Sequence, residues 1–122
     1  MNRRIPAMIA FAASALVSVA ALAHAFLDHA VPSVGATVAQ PPAEITLWFT
    51  EPLEPAFSGV AVTKAAGERV DTGTATIDPK DPQELHVPLK PLASGDYKVS
   101  WHVVSVDTHP TEGTFTFDVG GR

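Results

Sequence analysis

The 122-residue chain contains no cysteine, which excludes a disulfide framework and any thiolate metal site. Methionine is almost as scarce. Both copies, Met1 and Met8, precede residue 24, so the rest of the chain has no thioether from which to build a Cu(I)-selective cluster. Positive charge is also in short supply, with 8 Lys and Arg against 13 Asp and Glu. Residues 24–122 hold six of those bases and all 13 acids, a formal net charge of −7 with His neutral. A surface of that sign argues against nucleic acid as a partner. It favours cations in general, but diffuse charge selects none in particular. No convincing helical periodicity and no internal repeat occurs after the first 23 residues.

Those first 23 residues are the one long apolar run. Asn2, Arg3 and Arg4 make a basic start, and Ile5 to Ala23 carries no acid or base. Ala21–Leu22–Ala23 then supplies the small residues that signal peptidase prefers. The run is at the short edge for a lipid span. The expected reading is a cleaved export signal over 1–23 and one domain of 99 residues over 24–122, which is a common domain size. The protein would then be periplasmic. Ala23–His24–Ala25 is a second small-x-small site, and cutting there would discard His24 and expose Phe26. The cut before His24 is preferred because the rest of the chain makes use of a free histidine there.

After residue 24, Pro, Gly and Asp punctuate short alternating segments. Ile45, Leu47 and Phe49 alternate with Glu44, Thr46 and Thr50, and Trp48 falls outside that scheme. Tyr97, Val99, Trp101 and Val103 share one strand face, and Phe115, Phe117 and Val119 share another. Further strands are expected near His29–Ser33, over Ser58–Thr63, in the weaker stretch Val70–Ile77, and around Leu85, Val87 and Leu89. Asp78 to Pro82 reads as a turn, and the last strand as beginning at Thr114. About seven short strands in this spacing make an all-β protein, an antiparallel β-sandwich.

The chemistry-bearing residues are His24, Asp107 and His109. A histidine at a free N-terminus offers its α-amine and its ring Nδ1, which together close a six-membered chelate. His109 adds a second imidazole, and Asp107, two residues earlier in SVDTHPTEG, adds a carboxylate. Two imidazoles, an amine and a carboxylate form an N3O set. Hard alkaline-earth ions want more oxygen. Zn(II) can use the set in a tetrahedral arrangement. Cu(II) suits N/O donors in a tetragonal plane and stands highest in the divalent affinity series, so one Cu(II) per mature chain is the preferred occupant. His29 is a candidate for an auxiliary role beside the site. His86 and His102, which alternate with apolar neighbours, are expected to be surface histidines.

The segments HAFLDHAVPSVGATV, EITLWFTEPLEPAFSGVAV and LASGDYKVSWHVVSVDTHPTEGTFTFDVG resemble the CopC family of periplasmic copper-binding, copper-resistance proteins. The resemblance spans nearly all of residues 24–122. It implies a seven-strand immunoglobulin-like Greek-key sandwich or barrel, and it implies that His24, Asp107 and His109 bind Cu(II). It also implies a role in copper homeostasis and a CopD-like inner-membrane copper transport protein as a partner. The methionine-rich Cu(I) loop of some members is missing here. The expectation is therefore a monomeric, non-enzymatic Cu(II) carrier or buffer. Two other readings compete with it. One is an oxidative copper enzyme built on a histidine brace. The other is a partner-binding β-sandwich with an incidental metal site.

Overall fold

The computed structural model describes residues 24–120. The export signal expected over 1–23, with its cut, lies outside the described residues, as do the last two positions. The described residues form two facing four-stranded sheets. The strands are β1 (Leu27–Val31), β2 (Thr37–Val38), β3 (Glu44–Phe49), β4 (Gly59–Lys64), β5 (Thr76–Asp78), β6 (Asp81–Pro88), β7 (Gly95–Val104) and β8 (Pro110–Val119), with one 3₁₀ turn at Pro55–Phe57. The first sheet runs β1-β3-β6-β5 and the second β2-β8-β7-β4. All pairs are antiparallel except the short β2–β8 contact.

Alternation builds the core. Ile45, Leu47 and Phe49 of β3 and Leu85 and Val87 of β6 face Tyr97, Val99, Trp101 and Val103 of β7 and Phe115, Phe117 and Val119 of β8. These side chains are all buried, and each removes on the order of 1.5–3 kcal/mol of apolar surface from water. Phe49 meets Trp101 edge-to-face across the sandwich at 5.1 Å between ring centroids.

The sheets therefore have the expected faces, but their bounds differ in two places. β8 begins at Pro110 rather than Thr114, because its ladder with β7 continues in register from Phe115 opposite Val99 down to Pro110 opposite Val104. β6 begins at Asp81, inside the stretch read as a turn, because the β5–β6 connection is only Pro79–Lys80. Asp78 Oδ1 caps that turn by accepting from the Lys80 amide at 2.7 Å. The eighth strand is β2, which no expected strand covered, and of the weak stretch Val70–Ile77 only the end, from Thr76, forms a strand, β5. Trp48, the residue outside the alternation scheme, lies on the outer face of the first sheet with its ring stacked on His29 at 4.3 Å.

Candidate metal centre

The long β7–β8 hairpin turns through Ser105–His109, and this loop carries both late candidate residues. Its shape comes from one buried hydroxyl. Ser105 is fully buried, and its Oγ donates to Asp107 Oδ1 at 2.7 Å and accepts from the His109 amide at 3.3 Å. The Thr108 amide donates to Ser105 O at 2.7 Å, and Thr108 takes φ 71°, the left-handed value that closes so tight a reversal. The loop is also pinned from outside. Leu53 bridges Ser105, the Glu54 amide donates to Val104 O at 2.8 Å, and the Val106 amide donates to Pro52 O at 3.1 Å.

The N-terminal segment is held against this loop by three contacts. Thr111 Oγ1, on β8, donates to Ala25 O at 2.6 Å. Thr50 Oγ1, just past β3, accepts from the Phe26 amide at 2.9 Å and donates to His24 O at 3.4 Å. The Ala25 methyl is fully buried between them. The result is that the His24 ring stands 4.8 Å from the His109 ring, centroid to centroid, at 61°. Phe26 sits edge-on to His24 at 6.0 Å.

Asp107 Oδ1 lies 3.8 Å from His109 Nδ1, too far for a hydrogen bond. His109 Nδ1 is buried and has no hydrogen-bond partner among the described residues. An unmatched buried nitrogen is costly in a folded protein. Beside a second imidazole and a carboxylate, it fits a metal as its missing partner. The Ser105 hydrogen bond foremost, then Asp107's own backbone amide and the neighbouring His109, hold the Asp107 carboxyl below the usual range, so it stays an anion into mildly acid conditions.

The structure thus brings His24 and His109 together and places Asp107 beside His109. It does not close all three to ligand spacing. Among the described residues, the group of His, Asp and Glu side chains whose donor atoms all lie within 4.8 Å of one another is Asp78, Glu84 and His86. Sequence reasoning passed over that cluster and over the fasteners Thr50, Ser105 and Thr111. His29 gives its ring to Trp48 and its Nδ1 to Asp28 Oδ2 at 2.7 Å, rather than to the His24–His109 pair. His102 is exposed, as expected. His86 faces outward but is not a free surface imidazole, because carboxylates surround it.

The CopC domain family model matches residues 27–120. The chain belongs to the CopC family. The chain is similar to Protein YobA of Escherichia coli K12, 42% identical over 112 residues, covering 91% of this chain and 90% of that one. Copper resistance protein C of Xanthomonas campestris pv. juglandis is 37% identical over 123 residues, 96% of each chain. The crystal structure of CopC from Methylosinus trichosporium OB3b superposes with a TM-score of 0.76 at 34% identity, covering 81% of this chain and 96% of that one.

Proposed function

We propose that this protein is an exported, non-enzymatic Cu(II) carrier or buffer of the periplasm, binding one ion through His24, Asp107 and His109. The observation that carries the reading is the 4.8 Å approach of the His24 and His109 rings, with the buried Nδ1 of His109 lacking a hydrogen-bond partner among the described residues. Relatives named copper resistance protein C support the choice of copper. The donor chemistry supports the divalent state, since the chain after residue 23 has neither thiolate nor thioether.

While residue 23 remains attached, the His24 nitrogen is an amide and a poor donor. Cleavage after Ala23 would turn it into an amine that chelates together with its own ring. The fasteners on Ala25 and Phe26 then act as preorganisation, because they hold the new terminus at the hairpin before metal arrives. Copper leaves when a partner, such as a CopD-like membrane protein, competes for these ligands, or when acid protonates them.

The test is copper binding by protein whose N-terminus is shown by mass spectrometry to be His24. One added residue before His24 removes the amine while leaving the fold and both imidazoles. The expected result is a Cu(II) affinity lower by at least a hundredfold and the loss of the amine's nitrogen coupling from the electron paramagnetic resonance spectrum. Unchanged affinity and spectrum would refute the terminal chelate.

A further inference from the structure

On the outer face of the first sheet one imidazole sits among three carboxylates. Glu84 and His86 lie two residues apart on β6 and so share a face. β5 brings Asp78 to one side of them, and β3 brings Glu44 and Thr46 to the other. His86 Nε2 is 2.8 Å from Glu84 Oε2 and 3.6 Å from Asp78 Oδ2. On the opposite side of the ring, Nδ1 is 3.1 Å from Thr46 Oγ1 and 3.5 Å from Glu44 Oε2.

We propose that His86, Glu84 and Asp78 form a second metal site, for a divalent ion of the Zn(II) or Cu(II) kind. The first argument is spacing. Two N/O ligands about 2.0–2.1 Å from a metal stand roughly 2.9 Å apart at a right angle and roughly 3.4 Å apart at a tetrahedral angle. The two observed separations from Nε2 bracket that range, and all three donor atoms lie within 4.8 Å of one another.

The second argument is support from behind. Trp48 Nε1 donates to Glu84 Oε1 at 2.9 Å, which leaves Oε2 for the site, and Trp48 is itself held by the stacked ring of His29. Thr46, nearly buried although it is on the outer face, holds the far nitrogen of His86. Each of these two donors is thus fixed by an uncharged group, as outer partners fix the ligands of metal sites.

The third argument is charge. Glu84 and His86 side chains are only 18% and 22% exposed, and Asp78 31%. Among the described residues no Lys or Arg forms an ion pair with Glu44, Asp78 or Glu84, whereas Lys64 and Arg69 pair elsewhere. Even a protonated His86 leaves three carboxylates facing a single positive charge. A divalent cation in place of that proton relieves the repulsion. One nitrogen and two oxygens, with no sulfur, suit a borderline divalent ion rather than Cu(I).

The site uses no residue of the His24 centre, so the two stand or fall separately. The experiment titrates the full protein with Zn(II), and separately with Cu(II), against a competing chromophoric chelator. Imidazole resonances are followed by nuclear magnetic resonance. The expected result is an equivalent of metal that persists in His109→Ala and disappears in His86→Ala. Glu84→Gln and Asp78→Asn, near-isosteric changes that retain the fold, should each weaken it at least tenfold. The His86 ring signals should move as this equivalent binds, and whichever ion moves them at the lower concentration is the occupant. The proposal is overturned if His86→Ala keeps every equivalent of the wild type, if Glu84→Gln and Asp78→Asn bind as the wild type does, if His109→Ala binds none, or if neither ion disturbs the His86 signals. In those cases the cluster is a hydrogen-bonded network of imidazole and carboxylates and nothing more.

Discussion

Ser105 shows how one hydroxyl shapes the β7–β8 hairpin loop. It is buried, it orders the reversal through the His109 amide, and it orients the Asp107 carboxylate. Its hydrogen bond is the first cause of the lowered Asp107 pKa. Removing it in Ser105→Ala takes that stabilisation from the carboxylate, so the pKa of Asp107 should rise toward the ordinary value of about 3.9. Carboxyl carbon shifts followed against pH measure this directly. Metal bound through Asp107 would then be lost at a higher pH than in the wild type, since protonation competes with the metal for the same oxygen. A titration of Asp107 unchanged by the substitution would mean that the hydroxyl is only a loop fastener. His86 gives a second lesson at this scale. Its outward direction was legible from Leu85 and Val87, but its surroundings were not, because Asp78 and Glu44 arrive from other strands. The signal available in sequence was Glu84-x-His86, two ligand types at strand spacing on one polar face.

At the scale of the element, the β7–β8 hairpin governs the site. Its ten-residue strands stay in register from Gly95 opposite Val119 to Val104 opposite Pro110. One contact inside it is unusually close. Gly113 lies opposite Trp101, and a Cβ there would come within 2.5 Å of the Trp101 ring, so the indole lies flat against bare backbone. Gly113→Ala must push Trp101 into Phe49 across the sandwich. Overpacking of this kind costs about 1–3 kcal/mol. Urea denaturation should show a loss in that range, with an unchanged slope if the unfolded state is unaffected. The strand pattern told the core face of β7 and β8 correctly, yet it began β8 too late. Pro110 and Gly113 look like breakers in isolation. In the protein Pro110 stands at the end of the ladder, and Gly113 makes room for an indole.

At the scale of the whole molecule, two crossings besides the N-terminal segment tie the sheets together among the described residues. At one, Leu53 joins the start of β6 through Pro82 O at 3.0 Å and bridges to Ser105 beyond β7. At the other, residues 69–72 reach from β4 to the end of β6. The Val70 amide donates to Val62 O, Asp71 bridges Leu89, and the Thr72 amide donates to Pro88 O. Asp71 is the centre of this second crossing. Its buried carboxylate accepts from the Val62 amide at 2.8 Å, from the Gly73 amide at 2.9 Å and from Arg69 Nη2 at 2.7 Å. Burial pushes its pKa up, but the Arg69 and backbone hydrogen bonds outweigh burial and hold it below the usual carboxylate range. A depressed folded pKa means stability that is present above the unfolded value of about 3.9 and lost as pH falls through the folded one. Asp71→Asn should therefore cost about 2 kcal/mol at neutral pH, in line with hydrogen bonds to a charged group. The gap to wild type should narrow progressively below about pH 4. Urea midpoints at pH 7 and pH 3 test it, and an equal gap at both would show that charge has no part in the crossing.

What the chain determined by itself was local. Period-two alternation named the buried faces, proline and glycine marked most of the turns, and the absence of cysteine, and of methionine after Met8, narrowed the candidate metal ligands of residues 24–122 to nitrogen and oxygen. The Asp107–His109 pairing was legible as well, because both residues lie on one short loop. Tertiary structure alone decided which ends of the sandwich meet. His24 comes in ahead of the edge strand of one sheet and His109 sits at the hairpin turn of the other. They are neighbours because Ala25 and Thr111, 86 residues apart, are joined by a hydrogen bond and Ala25 is buried beside it. The same holds for Asp78, Glu84 and His86, drawn from two strands whose register is set by the ladder between them. Alternation is a property of each strand. Strand order, register and the stacking of two sheets are set by the total apolar surface that the folded chain can bury, and no short stretch of sequence carries that sum.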